Sequence, residues 1–346
     1  MFAPGDGSEL DGGVHVQRIP GMFGPRGLRT LHRRLSELPR PRIAVLQFVV
    51  QSFGARGANV AFGLWLQSLR RYPLWVMFHE YAIVDDRATS LPRRARAWAT
   101  RRLAGLAVRA ARRAFVSTPA WVRSVHGVRR RVPVEWLPVS SNVPTHADAA
   151  RVAHTARALR GGATARIVGH FGTYRMPDVT RTLASLVPLV LRDPSRRFVL
   201  IGRDGDAFAR AVVDAHPELR ERVTATGGLP PDAVAEHLAA LDCLVEPYDE
   251  GVTARRGSVI AGLPLGVPIV TTEGALTEPM WRESHAVALV PPADVEQLAR
   301  AIDELLADAA ARARYAVAAA RLYRERFAIE RTVEALRRCA LSDGLA

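Results

Sequence analysis

A chain of 346 residues, 48% hydrophobic and 24% charged, has a globular composition with room for two domains, which excludes a disordered or fibrous protein. The net charge of +14 is all arginine, since the chain has no lysine, and residues 1–150 carry the whole excess while the remainder is neutral. Only two cysteines occur, Cys243 and Cys339, without metal-ligand spacing, so a disulfide framework or a zinc site is excluded and both read as reduced core thiols.

The start, MFAPGDGSELDGG, has neither a basic segment nor an apolar core of a signal peptide. The longest apolar stretch, 43–69, is interrupted by Gln47, Gln51, Ser52, Gly54, Arg56 and Asn59, so no membrane span is expected and the expected location is cytoplasmic. Residues 1–13 read as a frayed, glycine-rich end, 14–19 as a short strand and 26–38 as a basic helix. RIAVLQFVV (42–50) is continuously apolar, as strands buried on both faces of a parallel sheet are. The turn QSFGARGAN follows. Its Asn59 reads as the cap of a helix over 60–69, or its glycines as a loop bent around a ligand. A strand over 74–78 delivers His79 and Glu80 at its carboxyl end, and short strands follow at 114–117 and 134–137. Strands alternating with helices predict a doubly wound parallel sheet, whose ligands bind at the carboxyl ends of the strands.

The stretch 93–115, RRARAWATRRLAGLAVRAARRAF, predicts an amphipathic helix. Arg94, Arg101, Arg102, Arg109, Arg112 and Arg113 share a third of its circumference, with Ala99, Leu103, Leu106 and Ala110 opposite. The run from Arg93 to Arg113 reads as a solvated outer helix or as a face for an anionic membrane. It has no aromatic stacking pattern, so nucleic acid is not an expected partner.

Residues 144–165, alanine-rich and ending in Gly161-Gly162, read as a boundary between a domain over 1–157 and a second over 158–346. Strands are expected in the second at 167–170, 198–201, 223–226, 243–246, 268–271 and 286–290, with helices at 180–191 and 231–241. Two or three terminal helices are expected over 294–338, where Tyr315, Ala319, Leu322 and Phe327 recur at helical spacing. After the first of these strands, Gly172-Thr173-Tyr174-Arg175 forms a turn in which Gly172 lets a phosphate approach the backbone.

The stretch 250–272, EGVTARRGSVIAGLPLGVPIVTT, organises the second domain. It reads as a loop, Glu250 and Gly251 onward, entering a helix at Gly257 that stops at Gly266 and Pro268. Arg255 and Arg256 stand before the helix N-terminus, where free N–H groups and the dipole favour an anion, so together they predict a diphosphate site. The plain alternative is solvated surface charge. Ser258 reads as a helix cap, a phosphate ligand or both. Glu250 is read equally as a contact to sugar or ribose hydroxyls and as an ordinary loop acid. Glu278, beyond the next strand, is within reach of the same site.

In order, VGHFGTYR, FVLIGRDGD, VTATGGLPPDAVAEHLAALDCLVEPYDEG, ARRGSVIAGLPLGVPIVTT and AVALVPPADVEQLARAI resemble the nucleotide-sugar-binding domain of retaining glycosyltransferases of family 4. The resemblance covers residues 166–330 strongly and 42–142 weakly. It implies an α/β protein of the GT-B fold, with two Rossmann-like doubly wound parallel-sheet domains facing a cleft. It further implies transfer of a hexosyl group from a nucleotide-diphosphate sugar, with retention, to a glycan, lipid-linked or small-molecule acceptor. It places His79 near the transferred sugar and requires no metal; Asp204-Gly205-Asp206, which imitates the acidic triplet of the other glycosyltransferase fold, reads as a structural turn. The sequence departs from the family pattern in three ways. Glu250 matches the first glutamate of the Glu-x7-Glu motif, but the second falls on Ala261 at a longer spacing. The usual basic pair after the first strand of this domain is missing, so Arg255 and Arg256 are expected to hold the phosphates. The family's first N-terminal strand has no counterpart, so an upstream strand is expected to be missing. These departures leave two alternatives open: a non-catalytic nucleotide-sugar-binding member, and a nucleotide-sugar epimerase.

Overall fold

The computed structural model describes residues 1–82, 90–162 and 164–345. The chain divides into two compact units, Met1–Leu137 with Glu334–Ala346, and Pro138–Val333. The start is not frayed. Strands β1 (Phe2–Pro4), β2 (Ser8–Asp11) and β3 (Val14–Ile19) form a sheet of order β1-β3-β2. Gly12 and Gly13, both at positive φ, join β2 to β3 by a two-residue hairpin, a turn whose geometry matches strand twist and favours glycine.

The main sheet of the first unit consists of β4 (Ala44–Val49), β5 (Leu74–Glu80), β6 (Arg113–Val116) and β7 (Val134–Trp136), parallel and in that order. One face, with Phe48, Val76, Phe78, Ala114 and Val116, shares a core with Phe62 and Leu66 of the helix Val60–Ser68 and with Leu103 and Ala107 of the helix Leu91–Ala110. Side chains alternate along a strand, so Trp75, Met77 and Phe115 take the other face, where they are also buried. The end of the helix Ile329–Ser342 returns to that face. Trp75 Nε1 donates to Asp343 (3.1 Å), Arg113 pairs with Asp343 (2.7 Å), and Arg338 pairs with Glu135.

In the second unit, β8 (Arg166–Phe171), β9 (Arg196–Ile201), β10 (Val223–Ala225), β11 (Cys243–Glu246), β12 (Ile269–Thr272) and β13 (Ala288–Val290) form one parallel sheet of order β10-β9-β8-β11-β12-β13. Chain order reverses between β8 and β11. The loops leaving those two strands diverge to opposite sides, and the crevice between them is the ligand position of open α/β sheets. The expected boundary at 157/158 is corrected. It falls within the helix Ala149–Arg160, capped by the Asp148 carboxylate and ended by Gly161 in the left-handed region. This helix belongs to the second unit, where Arg151 pairs with Glu236. The divisions lie at 137/138 and 333/334 instead. Among the described residues no helix is long and apolar enough to cross a membrane. Cys243 and Cys339 are free and buried.

Candidate functional site

The second unit's switch point is built around Glu246, the last residue of β11. The strand CLVE is buried throughout, and Glu246 is 1% exposed. Its Oε1 accepts the Phe171 backbone N–H from β8 (3.0 Å), which ties the two strands at the reversal. Its Oε2 lies 2.6 Å from the Tyr248 hydroxyl and 2.8 Å from the Ser258 hydroxyl, which are 2.7 Å from each other. Three mutual contacts among three oxygens need three hydrogens, and the two hydroxyls supply only two. A protonated Glu246 supplies the third, and burial pushes this carboxyl up to about 7. His170 Nε2 lies 3.8 Å from Glu246 Oε2, and burial pulls His170 down to about 3. Between about pH 3 and 7 the two groups therefore meet as neutral partners.

The arginines lie over this network. The Arg256 guanidinium stacks on the Tyr248 ring, 4.1 Å from its centroid, a cation–π contact strengthened by burial. The Arg256 side chain is 12% exposed, and burial pulls its pKa down. Arg255 donates to Glu250 Oε2 (3.0 Å), and Arg256 reaches the same oxygen at 3.4 Å. Glu250 itself is 55% exposed. Arg256 Nε, His170 Nδ1 and Thr253 Oγ1 are buried with no hydrogen-bond partner among the described residues. Such atoms in one small region mark a place where a polar ligand would complete the bonding.

Two nearby acids and glycines shape the loop 250–256. Gly251 sits at φ +83°, and a Cβ there would stand 2.1 Å from Gly274 N, so two backbones meet at this point. Glu278, 4% exposed, accepts the Ala254 N–H (3.1 and 3.2 Å) and the Trp281 indole N–H (3.0 Å). It anchors the loop from below, which corrects the expectation that it reaches a ligand.

The helix after the arginines is shorter than its sequence suggests. It spans Gly257–Gly262, ended by the turn through Leu263 and Gly266. Six residues align too few peptide dipoles to make the N-terminus the main anion trap, so the positive charge of this loop rests on the guanidinium groups. Arg256, not Ser258, is its N-cap, and the Ser258 hydroxyl is committed to Glu246. Gly257 is exposed, with open space where a Cβ would be.

The remaining expected residues disperse. A Cβ at Gly172 would stand 2.8 Å from His170 Cε1, so that glycine makes room for the histidine rather than for a phosphate. Thr173 is exposed. Arg175, its side chain 77% exposed, pairs with Asp204 (2.5 Å), which caps the helix Gly205–Ala215 from the left-handed region. His79 lies in the first unit, where its Nε2 meets Gln47 Oε1 at 2.6 Å; Gln47, not Glu80, orients the ring, and burial pulls its pKa down. On the helix Leu91–Ala110 the arginines 93, 94, 101, 102 and 109 are exposed, and Arg102 lies 5.1 Å from the centroid of the exposed Trp98 ring. Arg113 leaves that face, because it belongs to β6 and is held by Asp343.

Glu246, Tyr248 and His170 were not singled out from the sequence. The available signal was a carboxylate closing an otherwise apolar strand at the reversal of the sheet, since a buried charge needs partners or a proton.

A parallel sheet whose chain order reverses, and a second parallel-sheet unit in the same chain, match the GT-B class of two Rossmann-like domains. Comparison with known proteins agrees. Residues 165–308 match the family model described as glycosyl transferases group 1. Sucrose-phosphate synthase from Thermosynechococcus elongatus superposes with a TM-score of 0.73 at 18% identity, over 99% of this chain and 89% of that one. The α,α-trehalose 6-phosphate synthase of Burkholderia multivorans gives 0.69 at 14% identity, over 99% and 87%. HepE of Anabaena, in complex with UDP and glucose, gives 0.68 at 16% identity, over 95% and 87%. No curated protein sequence matches the chain significantly. The chain thus has a GT-B fold, and residues 165–308 are similar to the glycosyl transferases of group 1.

Proposed function

We propose that the protein transfers a hexosyl group from a nucleotide-diphosphate sugar to an acceptor, with retention, and that the loop 250–258 receives the diphosphate. The carrying observation is Arg256: a buried guanidinium with an unsatisfied Nε, fixed on Tyr248 at the reversal of the sheet. Arg255 adds a second positive charge beside it. Both now share the exposed Glu250 carboxylate. Glu250 is exposed and regains water when displaced, so a dianionic diphosphate, which brings more charge and more acceptor oxygens to the two guanidinium groups, competes with it. Released from the arginines, Glu250 is free to meet donor hydroxyls. As the glycosidic bond breaks, charge grows on the leaving diphosphate, and guanidinium groups fixed in advance stabilise it without reorganising. In this reading the arginines do the work without an obligatory metal, and His79 lines the sugar position. HepE, whose solved structure holds UDP, supports a uridine nucleotide as the first donor to try.

We place the protein in the cytoplasm, peripheral to the membrane where its acceptor is lipid-linked. The exposed arginines, Leu91 and Trp98 of the helix Leu91–Ala110 support this membrane face. Co-sedimentation with anionic vesicles tests it, and binding unchanged by Trp98→Ser together with Arg101→Gln would sink it.

One observation favours a second reading, a non-catalytic nucleotide-sugar binder: Ala261, where the resembled family carries its second motif glutamate, is fully buried and apolar. Donor hydrolysis separates the two. The enzyme releases nucleoside diphosphate slowly from the donor, and Arg256→Ala lowers this by about ten- to a hundredfold. Release that Arg256→Ala leaves unchanged rules out the diphosphate role of the loop. An epimerase would instead convert the donor sugar with no acceptor present.

A further inference from the structure

The positive excess of the first 150 residues has a second address. In a parallel sheet all strand starts lie along one edge, and here each of β4 to β7 is preceded by arginine. Arg40 and Arg42 precede β4, Arg70 and Arg71 precede β5, Arg112 precedes β6, and Arg129 to Arg131 precede β7. Backbone bonds join these approaches, with Ala44 N donating to Pro73 O, Arg112 N to Leu74 O and Ala114 N to Pro133 O. A concavity of about 840 Å³ runs along the edge beside Arg40, Arg42, Arg70 and Arg71, and a second of about 290 Å³ continues it past Arg112 and Arg129. Among the described residues no carboxylate lines either of them. Arg40, Arg70 and Arg71 form no ion pair among the described residues, whereas Arg42 is fixed by carbonyls of Ser36 and Leu38 and by the Tyr72 ring, 5.0 Å from its centroid. This edge is opposite the strand ends that carry His79, about 20 Å away along β5 at the rise of an extended strand.

We infer that this groove is a binding site for a polyanionic glycan chain, carboxylate- or phosphate-bearing, which it holds away from the reacting end. The polyanion follows from an arginine-lined groove with no carboxylate among its described lining residues. A membrane fits less well, because the groove is concave and its apolar lining residues, among them Pro41, Tyr72, Pro73 and Leu345, are interleaved with arginines. Nucleic acid fits less well, because its aromatic platform, Tyr72, is already covered by Arg42. That the chain is a glycan rests on the glycosyltransferase reading above; the anion site does not.

The test uses the full chain and a short fluorescein-labelled oligogalacturonate, with a neutral maltooligosaccharide of equal length, single-stranded RNA and anionic vesicles as the comparison ligands. Saturable binding that weakens with salt, and that falls about tenfold in Arg70→Gln/Arg71→Gln but not in Arg256→Ala, supports the groove. Both substituted arginines are exposed, and Arg40→Gln gives an independent check on a different segment. Equal binding of the neutral oligosaccharide, affinity unchanged in these variants, or tighter binding of RNA or vesicles overturns it. Stabilisation by uridine diphosphate is followed in the same samples. If wild type shows none while oligogalacturonate binding still depends on Arg70 and Arg71, the donor reading falls and the groove stands.

Discussion

Glu246 is the residue on which the chemistry of the second unit turns, because it touches Phe171, Tyr248 and Ser258 and through Tyr248 supports Arg256. Its folded pKa, about 7, stands above the ordinary 4.5. The fold therefore binds this proton more tightly than the unfolded chain does. The associated stability is fully present below pH 4.5 and is lost as pH rises through 7, an effect on the order of 3 kcal/mol. His170 slopes the other way, since its depressed pKa gives stability that is lost as pH falls below 6.5 toward 3. A comparison with Glu246→Gln isolates the first effect. The stability of the variant relative to wild type, from urea unfolding, is expected to improve from pH 5 to about pH 7 and then level off; a difference independent of pH would mean that the carboxyl is not protonated near neutrality.

The loop 250–256 is held by its neighbours more than by its own sequence. Val252 N donates to Thr272 O, Leu276 N to Glu250 O, and Ala254 N to Glu278. Gly251→Ala forces a side chain into Gly274 at a positive φ and is expected to cost about 2 kcal/mol. It should also abolish stabilisation by nucleoside diphosphate, because the arginines follow within five residues. A thermal-shift series with and without uridine diphosphate reads both effects, and undiminished ligand stabilisation would show that the loop position does not matter. The arginine pair, the glycines and the serine were legible locally as a basic loop entering a helix. The fate of Ser258 was not, because its partner lies twelve positions back and is brought close only by the strand, loop and helix return. The same holds for Glu278, whose partner Ala254 is twenty-four positions away.

The strands of the two main parallel sheets could be read nearly to the residue, since continuous apolar runs between glycine, proline and arginine leave little choice, whereas β1 and β2, polar and glycine-rich, could not. The helix Ala149–Arg160 was read as part of a domain boundary because its alanines and arginines present no apolar stripe; Thr155 is its one buried residue. Asp148 and Gly161 mark its ends and were the better guide. Nothing local in residues 334–345 announces a partner at Trp75, some 268 positions earlier, so the return of the C-terminal segment was invisible. Asp343→Ala removes the acceptor for Trp75 Nε1 and Arg113 and is expected to destabilise the first unit by about 2 kcal/mol. Hydrogen exchange should show the loss in β5 and β6, while β8 to β13 stay protected; uniform loss would contradict a local anchor.

That return also sets an order of events during synthesis. Trp75, Met77 and Phe115 leave the ribosome long before the segment that bonds to their face, with Trp75 and Asp343 separated by 268 positions. Until then this apolar face lacks the contacts that Asp343 and Arg338 make, and chaperone binding to the nascent chain is expected to fall once translation passes Asp343.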